Sequence, residues 1–396
     1  MFSLHRFYNI IHNNLIAPFT QGKSIYFHPF GTYNDNLVLH TQIDTDVPQL
    51  PIINWLHEQE FLHCYFFDQE PLYDFTMPIV NKCFNPTKHL PGNKRISILA
   101  NSEHSDIKHN IATDNGMHEW YYFYHGFAAL DWYRDFQYVT PESFSRFNRV
   151  FICYNHLISK YRSYRLHLVS NLLEKGLVKH GYVSLFLQDE SGTWKDEIED
   201  PNSMLDNRAR VKIYHALKNV TEPLIIDTDI PAGAMSADVK LDQLTSALWH
   251  VVTETVYFLP KLHLTEKVFK PIVAKRPFIL VAAPGNLAYI KSYGFKTFDR
   301  WIDESYDEEQ DHYIRIEKIT AEIVRLCAMD NSTLRQMHLE MQQVLEYNFK
   351  HFYGDFKKTI VNELVDNFTN ILDKIDTKEY QFTLDYVAEV KHRLIQ

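Results

Sequence analysis

The stretch HLTEKVFKPIVAKRPFILVAAPG, residues 263–285, decides the fold. Thr265 is a good N-cap residue. Glu266 and Lys267 would fall in the first helical turn behind it, where free backbone N–H groups and the positive end of the helix dipole attract an anion such as a diphosphate. Lys267 adds a point charge suited to a phosphate, and Glu266 can accept hydrogen bonds from ribose or sugar hydroxyls. The apolar run 278–283 then reads as a buried strand of the parallel type, and Pro284-Gly285 turns the chain at its carboxyl end. Open α/β sheets bind their ligands at that edge. Capping alone would also account for Thr265, Glu266 and Lys267. The preceding segment ALWHVVTET, 247–255, weighs against it, because a strand ending in Thr253, Glu254 and Thr255 brings a second carboxylate to the same edge.

Composition sets the outer bounds. A chain of 396 residues, 45% hydrophobic and 14% aromatic, can bury a large core, and its length favours two domains. No run of about 18 apolar residues exists, and the start MFSLHRFYNIIHNN is interrupted by polar residues, so neither a membrane span nor a signal peptide is expected. A cytoplasmic location is the expectation. The four cysteines lie far apart with no C-x-x-C, which fits reduced structural thiols better than a zinc cluster. His104, His109 and His263 are the histidines that a metal would use, but scattered histidines usually hydrogen-bond, and no metal is expected. A formal charge of −10 provides no global field for nucleic acid. Locally, KYRSYR at 160–165 interleaves cations with tyrosines as phosphate-binding and base-stacking surfaces do, although a solvated helix face has the same composition.

Along the chain, KSIYFHPF (23–30), FLHCYFFDQE (61–70), RISILANSE (95–103) and WYYFYHG (120–126) read as buried strands separated by crossover segments. The polar VTPESFSRFN (139–148) reads as a linker, and RVFICYN (149–155) opens a second series. An amphipathic helix follows, with Leu166, Val169, Leu172 and Leu173 on one face and Gly176 near its end. Further strands are expected at YVSLFL (182–187), EPLIIDT (222–228), ALWHVVTET and PFILVAA (277–283). The result is an α/β chain with two Rossmann-like halves. From Leu326 onward the pattern is mostly helical, with Gly354 breaking it.

The order of strand, Glu254-Thr255, short loop, Thr265-Glu266-Lys267, helix, strand and Pro284-Gly285 resembles the donor-binding half of GT-B glycosyltransferases. It is most similar to the α-1,3-fucosyltransferase type, whose strand ends in Glu-Asn before a T-E-K helix; Thr255 stands here in place of that Asn. The longer FKPIVAKRPFILVAAPGNLAYIKSYGFKTF (269–298) resembles glycosyltransferase-like proteins of tailed phages more closely, and the resemblance covers 249–298. It implies a GT-B fold of two Rossmann-like domains with a cleft between them. An acceptor domain would span 1–145, a nucleotide-sugar donor domain 146–355, and C-terminal helices 356–396 would pack back on the first domain. The implied reaction moves a sugar from a nucleoside diphosphate sugar to an acceptor hydroxyl without a metal, with inversion favoured by the fucosyltransferase-like motif and retention as the alternative. A bacteriophage origin would place it in the host cytoplasm, with a hydroxymethylated DNA base (a DNA modification) or a glycan as acceptor.

The resemblance also implies residue roles. In the fucosyltransferase type an Arg on the helix after the first strand of the donor domain holds the diphosphate. Here Asn155 ends that strand and Arg165 carries the likeness, with Arg162 one turn earlier as the alternative. Lys267 and Arg165 are accordingly expected to contact phosphate and to be dispensable for folding, and Glu254, Thr255, Thr265 and Glu266 complete the donor set. Inverting transfer needs a carboxylate to take the acceptor proton. Glu70, in the Asp68-Gln69-Glu70-Pro71 turn after a first-half strand, fits that role and Asp68 competes for it. Glu103, His104 and His125 end neighbouring strands and are acceptor-side candidates. Asp227 and Asp229 match the letters of a D-x-D pair but read as a loop or ribose contacts. No G-x-G-x-x-G follows a candidate strand, which argues against a dinucleotide-dependent dehydrogenase. A catalytically inactive sugar-nucleotide or partner-binding protein of the same fold is the alternative.

Overall fold

The structure is a computed structural model that describes residues 24–26, 63–67, 71–72, 97–138, 147–189, 191–226, 240–374 and 384–395, the first two segments by backbone alone. The chain is mixed α/β and divides into two compact units, Met1–Asp131 together with Lys357–Gln396, and Trp132–Phe356. The break near the middle of the chain therefore falls at Asp131, ahead of the expected 145, and the C-terminal segment belongs to the first unit. Among the described residues no helix is long and apolar enough to cross a membrane.

The first unit holds a parallel sheet of β1 (Ser24–Tyr26), β2 (His63–Phe67), β3 (Ser97–Asn101) and β4 (His118–Tyr121) in sequential order. Trp120 of β4 is fully buried against the helix Lys357–Lys374. Its indole Nε1 donates to the Leu364 carbonyl at 3.4 Å and its ring lies 5.1 Å from Phe368, while Asn367 Nδ2 donates to the Tyr121 carbonyl at 3.0 Å. The strand expected over 120–126 is corrected here. It stops at Tyr121, and Tyr124–Trp132 is a helix that carries His125 and Gly126. The uninterrupted apolar run shows neither a period of two nor one of 3.6, so its pattern could not tell the two apart.

The second unit is built on a four-stranded parallel sheet in the order β10, β9, β5, β6, comprising β5 (Arg149–Cys153), β6 (Gly181–Val183), β9 (Ala247–Thr253) and β10 (Phe278–Val281). A two-stranded antiparallel ribbon, β7 (Gln188–Asp189) and β8 (Gly192–Thr193), lies outside it. Every residue of β9 and β10 is buried, as apolar strands covered on both faces require. From β5 the chain goes to β6 on one side, then returns to lay β9 and β10 on the other. The strand order thus reverses between β5 and β9, the switch point at which open α/β sheets bind ligands. Gly181 in β6 is held close to β5, since a Cβ there would lie 2.5 Å from the Phe151 ring.

One of the remaining expected strands is shorter and another, over its described residues, does not join the sheet. Beyond β6 only Leu185 continues, as an isolated antiparallel bridge to Leu224, so EPLIIDT adds no strand to the sheet among the described residues. The last segment is helical, in His312–Cys327, Asn331–His351, Lys357–Lys374 and Leu384–Ile395. Gly354, expected to break the helical pattern, sits in a π-turn, Phe352–Phe356.

Candidate functional site

The carboxyl ends of β5 and β9 gather Asn155, Arg165, Glu254, Thr255, Thr265, Glu266 and Lys267. The helix Tyr164–Glu174 follows β5, and its first turn is aimed at the end of β9. There the Tyr164 hydroxyl donates to the Glu254 carbonyl, and Arg165 Nη2 donates to the carbonyls of Thr253 at 3.2 Å and Glu254 at 3.4 Å. Arg165 Nη1 donates to the Leu157 carbonyl at 2.9 Å, and the side chain is only 4% exposed. Expected to meet phosphate, the Arg165 guanidinium here donates to three main-chain carbonyls and ties the loop after β5 to the end of β9, while its Nε has no hydrogen-bond partner among the described residues. Arg162, in the 3-10 turn Lys160–Arg162, is half-buried.

Asn155 is 1% exposed and packs where β5 meets β6. Its backbone N–H donates to Ser184 Oγ at 2.8 Å and its Nδ2 to the Ser184 carbonyl at 3.1 Å, whereas its Oδ1 has no hydrogen-bond partner among the described residues. Cys153, directly before this bend, is fully enclosed, and burial pushes its thiol up to about 12, so it is no nucleophile. The loop that follows is fixed by carboxylates. Asp189 accepts from the backbone N–H groups of Ile158 and Ser159 and from the Ser159 hydroxyl, and Glu197 accepts from the Lys160 N–H at 2.8 Å. Those bonds hold Lys160 at φ 53°, a left-handed conformation unusual for a side-chain-bearing residue.

Glu254 is fully buried. Its carboxylate accepts from the Thr265 hydroxyl, from the Thr265 N–H at 3.2 Å and from the Thr255 N–H at 3.3 Å. The Thr265 hydroxyl in turn accepts from Lys267 Nζ at 3.0 Å, and the Thr255 hydroxyl does so at 3.4 Å. A relay therefore runs from the buried Glu254 carboxylate through the Thr265 hydroxyl to an ammonium whose side chain is 34% exposed, and Thr255 meets the carboxylate with its N–H and the ammonium with its hydroxyl. Glu266 is 3% exposed and lies 3.4 Å from the same ammonium. Glu254 and Glu266 were expected to accept sugar hydroxyls, but both face inward, one anchoring the Thr265 loop and the other countering the Lys267 charge. Thr265 caps as expected, accepting from the Lys267 N–H at 3.4 Å. What it caps is a single 3-10 turn, Glu266–Val268, before a five-residue helix, Phe269–Val273, so little macrodipole stands behind it. Gly285, at φ 84°, makes the turn predicted after β10 and opens the helix Asn286–Ser292.

In the first unit, Asp68 and Glu70 lie outside the described residues, as do Asp227 and Asp229 of the second. Glu103, just beyond β3, is fully buried, and its carboxylate accepts from the Leu72 N–H at 2.8 Å and from the Ser105 hydroxyl. It therefore fastens the chain two residues after Glu70. His104 stacks on Tyr121 with centroids 4.0 Å apart, and burial against that ring together with the Lys108 charge pushes its imidazole down to about 4. His125 is buried edge-on to Tyr124 in its helix and does not end a strand. Among the described residues no group of three or more His, Cys, Asp or Glu is placed to hold a metal ion.

Sequence reasoning passed over Lys108. Its ammonium is 2% exposed and donates to the carbonyls of Asn101 at 3.0 Å and Glu103 at 3.4 Å, and burial pushes its pKa down to about 8. Only its position one turn into a helix that starts with the N-cap Ser105 could have marked it. A lowered lysine binds fewer protons folded than unfolded, so its contribution to stability rises with pH between about 8 and the ordinary 10.5. Lys108→Met removes that dependence. Chemical denaturation of both forms across this window is expected to show the wild type gaining on the variant as pH rises, and parallel curves would contradict it.

Comparison of the chain with protein-family models, with curated proteins and with solved structures finds no match.

Proposed function

We propose that this chain is a glycosyltransferase of the GT-B type, whose second unit holds a nucleoside diphosphate sugar at the carboxyl ends of β5 and β9. The observation that carries the reading is the reversal of strand order between β5 and β9, with a partly exposed lysine held there by a buried carboxylate and two threonine hydroxyls. Lys267 supplies the first positive charge for the diphosphate and Arg162 the second, cations that stabilise a leaving diphosphate as it departs. Glu254 and Thr265 keep the lysine in place. The acceptor hydroxyl, on a hydroxymethylated DNA base or a glycan, loses its proton to a first-unit carboxylate, Glu70 in this reading and Asp68 in its stead. Transfer is inverting and needs no metal.

One observation favours a second reading, an inactive sugar-nucleotide or partner-binding protein. Arg165, Glu254 and Glu266 are all turned inward. Turnover separates the two. The full chain is incubated with a panel of nucleoside diphosphate sugars and with hydroxymethylated DNA or glycan acceptors, and released nucleoside diphosphate is measured. Acceptor-dependent release supports the transferase; binding of a sugar nucleotide with no release in any combination supports the inactive protein.

A further inference from the structure

Among the described residues two that are not glycine have a positive φ, Lys160 at 53° and Lys275 at 49°. A left-handed backbone is strained for lysine and open to glycine or asparagine at little cost. The two lysines use their side chains differently. Lys275 is 9% exposed, and its ammonium donates to Glu346 at 2.7 Å and lies 4.3 Å from the centre of the Phe349 ring, so its side chain holds the packing around it. Lys160 is exposed, and its ammonium has no hydrogen-bond or ion-pair partner among the described residues.

Lys160 stands on the loop between β5 and the helix Tyr164–Glu174, at the edge where the strand order reverses. The main chain of this loop is bonded on both sides of the lysine. Asp189, in the ribbon strand β7, accepts from the N–H groups of Ile158 at 2.8 Å and Ser159 at 3.0 Å and from the Ser159 hydroxyl. Glu197, 6% exposed in the helix Trp194–Glu199, accepts from the Lys160 N–H at 2.8 Å and from the Ser203 hydroxyl at 2.6 Å. The Lys160 carbonyl accepts from the Ser163 N–H at 3.1 Å and the Ser163 hydroxyl at 2.8 Å. Two carboxylates from 188–199 thus fix the backbone of Lys160, and neither pairs with its ammonium. The strained residue keeps its charge unused.

We propose that Lys160 is a further phosphate-contacting residue of the donor site, a cation beyond Lys267 and Arg162, and that Asp189 and Glu197 are positioning residues that act through it. The inference rests on reading the second unit as a nucleoside diphosphate sugar site. Strain of this kind persists where the surroundings over-determine a conformation, and it gathers at sites that clamp ligands. An ammonium carried on a fixed backbone loses less freedom when it meets an anion than one on a loose loop, so the two carboxylates raise affinity without touching the ligand. Glycine at 160 would relax the backbone and lose the cation.

The test titrates the full chain, by calorimetry, with the 5′-diphosphates of uridine, thymidine, guanosine, cytidine and adenosine, and measures urea midpoints on the same preparations. Lys160→Gly is expected to be at least as stable as the wild type, since it relieves the left-handed strain, and to bind the diphosphate about three- to tenfold more weakly. Lys160→Arg should keep most of the affinity. Asp189→Ala and Glu197→Ala should each weaken binding in the presence of Lys160 and add little further loss in the Lys160→Gly background, the coupling that a double-mutant cycle reads. Glu197→Gln keeps an acceptor for the Lys160 N–H and should recover most of what Glu197→Ala loses. If Lys160→Gly binds as the wild type does while Lys267→Ala binds more weakly, the proposal is overturned and the donor reading stands. If Lys160→Gly weakens binding and Lys267→Ala does not, Lys160 stands and the Lys267 assignment falls. Losses from Asp189→Ala and Glu197→Ala that are equal with and without Lys160 overturn their positioning role, and no saturable binding of any diphosphate to the wild type overturns both readings.

Discussion

Glu70→Gln is expected to lower sugar transfer by about 10² to 10⁴ while leaving nucleoside diphosphate affinity at its wild-type value, the cost typical of removing a general base. The amide keeps the size of the side chain and loses only the capacity to take a proton, so the loss should fall on turnover and not on donor binding. Asp68→Asn should be milder. Rates and donor affinity measured on the same preparations check this. Normal turnover in Glu70→Gln with loss in Asp68→Asn would move the base by two positions. If Glu103→Gln alone abolished turnover, the result would instead fit the anchoring role of Glu103, whose carboxylate holds the Leu72 N–H, and loss of fold would have to be measured beside it. No effect from any of the three would favour a retaining mechanism without a first-unit base.

Arg165→Ala is expected to destabilise the second unit by roughly 2 to 4 kcal/mol, combining three lost hydrogen bonds to carbonyls with the cavity left by a long buried side chain. Arg165→Met fills most of that space and should recover part of the loss. Lys267→Ala, at a side chain 34% exposed, should cost less than Arg165→Ala, the loss coming from the buried Glu266 carboxylate deprived of its counter-charge. Urea denaturation of the three variants checks the order. Wild-type stability in Arg165→Ala, with nucleotide binding abolished, would return the arginine to the phosphates and contradict its placement as a brace.

The parts of the fold that could be read in advance were those in which burial is total and the residue types agree with it. β9 and β10 are runs of apolar and β-branched residues interrupted only by the buried His250, and Thr253 at the end of the one with Glu254 and Thr255 beyond it, and Pro284-Gly285 after the other, mark where each strand leaves the sheet. The direction in which Glu254 points was not legible. A carboxylate at a strand end looks the same in a sequence whether it faces a ligand or, as here, a threonine eleven residues on. Arg165 is the same case, since a cation beside a strand end serves main-chain carbonyls as readily as phosphates. The run from Trp120 to Phe127 carries no period, so its strand-to-helix switch at Tyr124 left no trace.

The central claim, a nucleoside diphosphate site at the carboxyl ends of β5 and β9, is tested most directly by amide hydrogen exchange of the full chain with and without saturating nucleoside diphosphate. Ligand should slow exchange in the segments that follow those strands, around Asn155 to Arg165 and Thr255 to Val268. Unchanged exchange in both segments with every diphosphate, or protection confined to other parts of the chain, would contradict it.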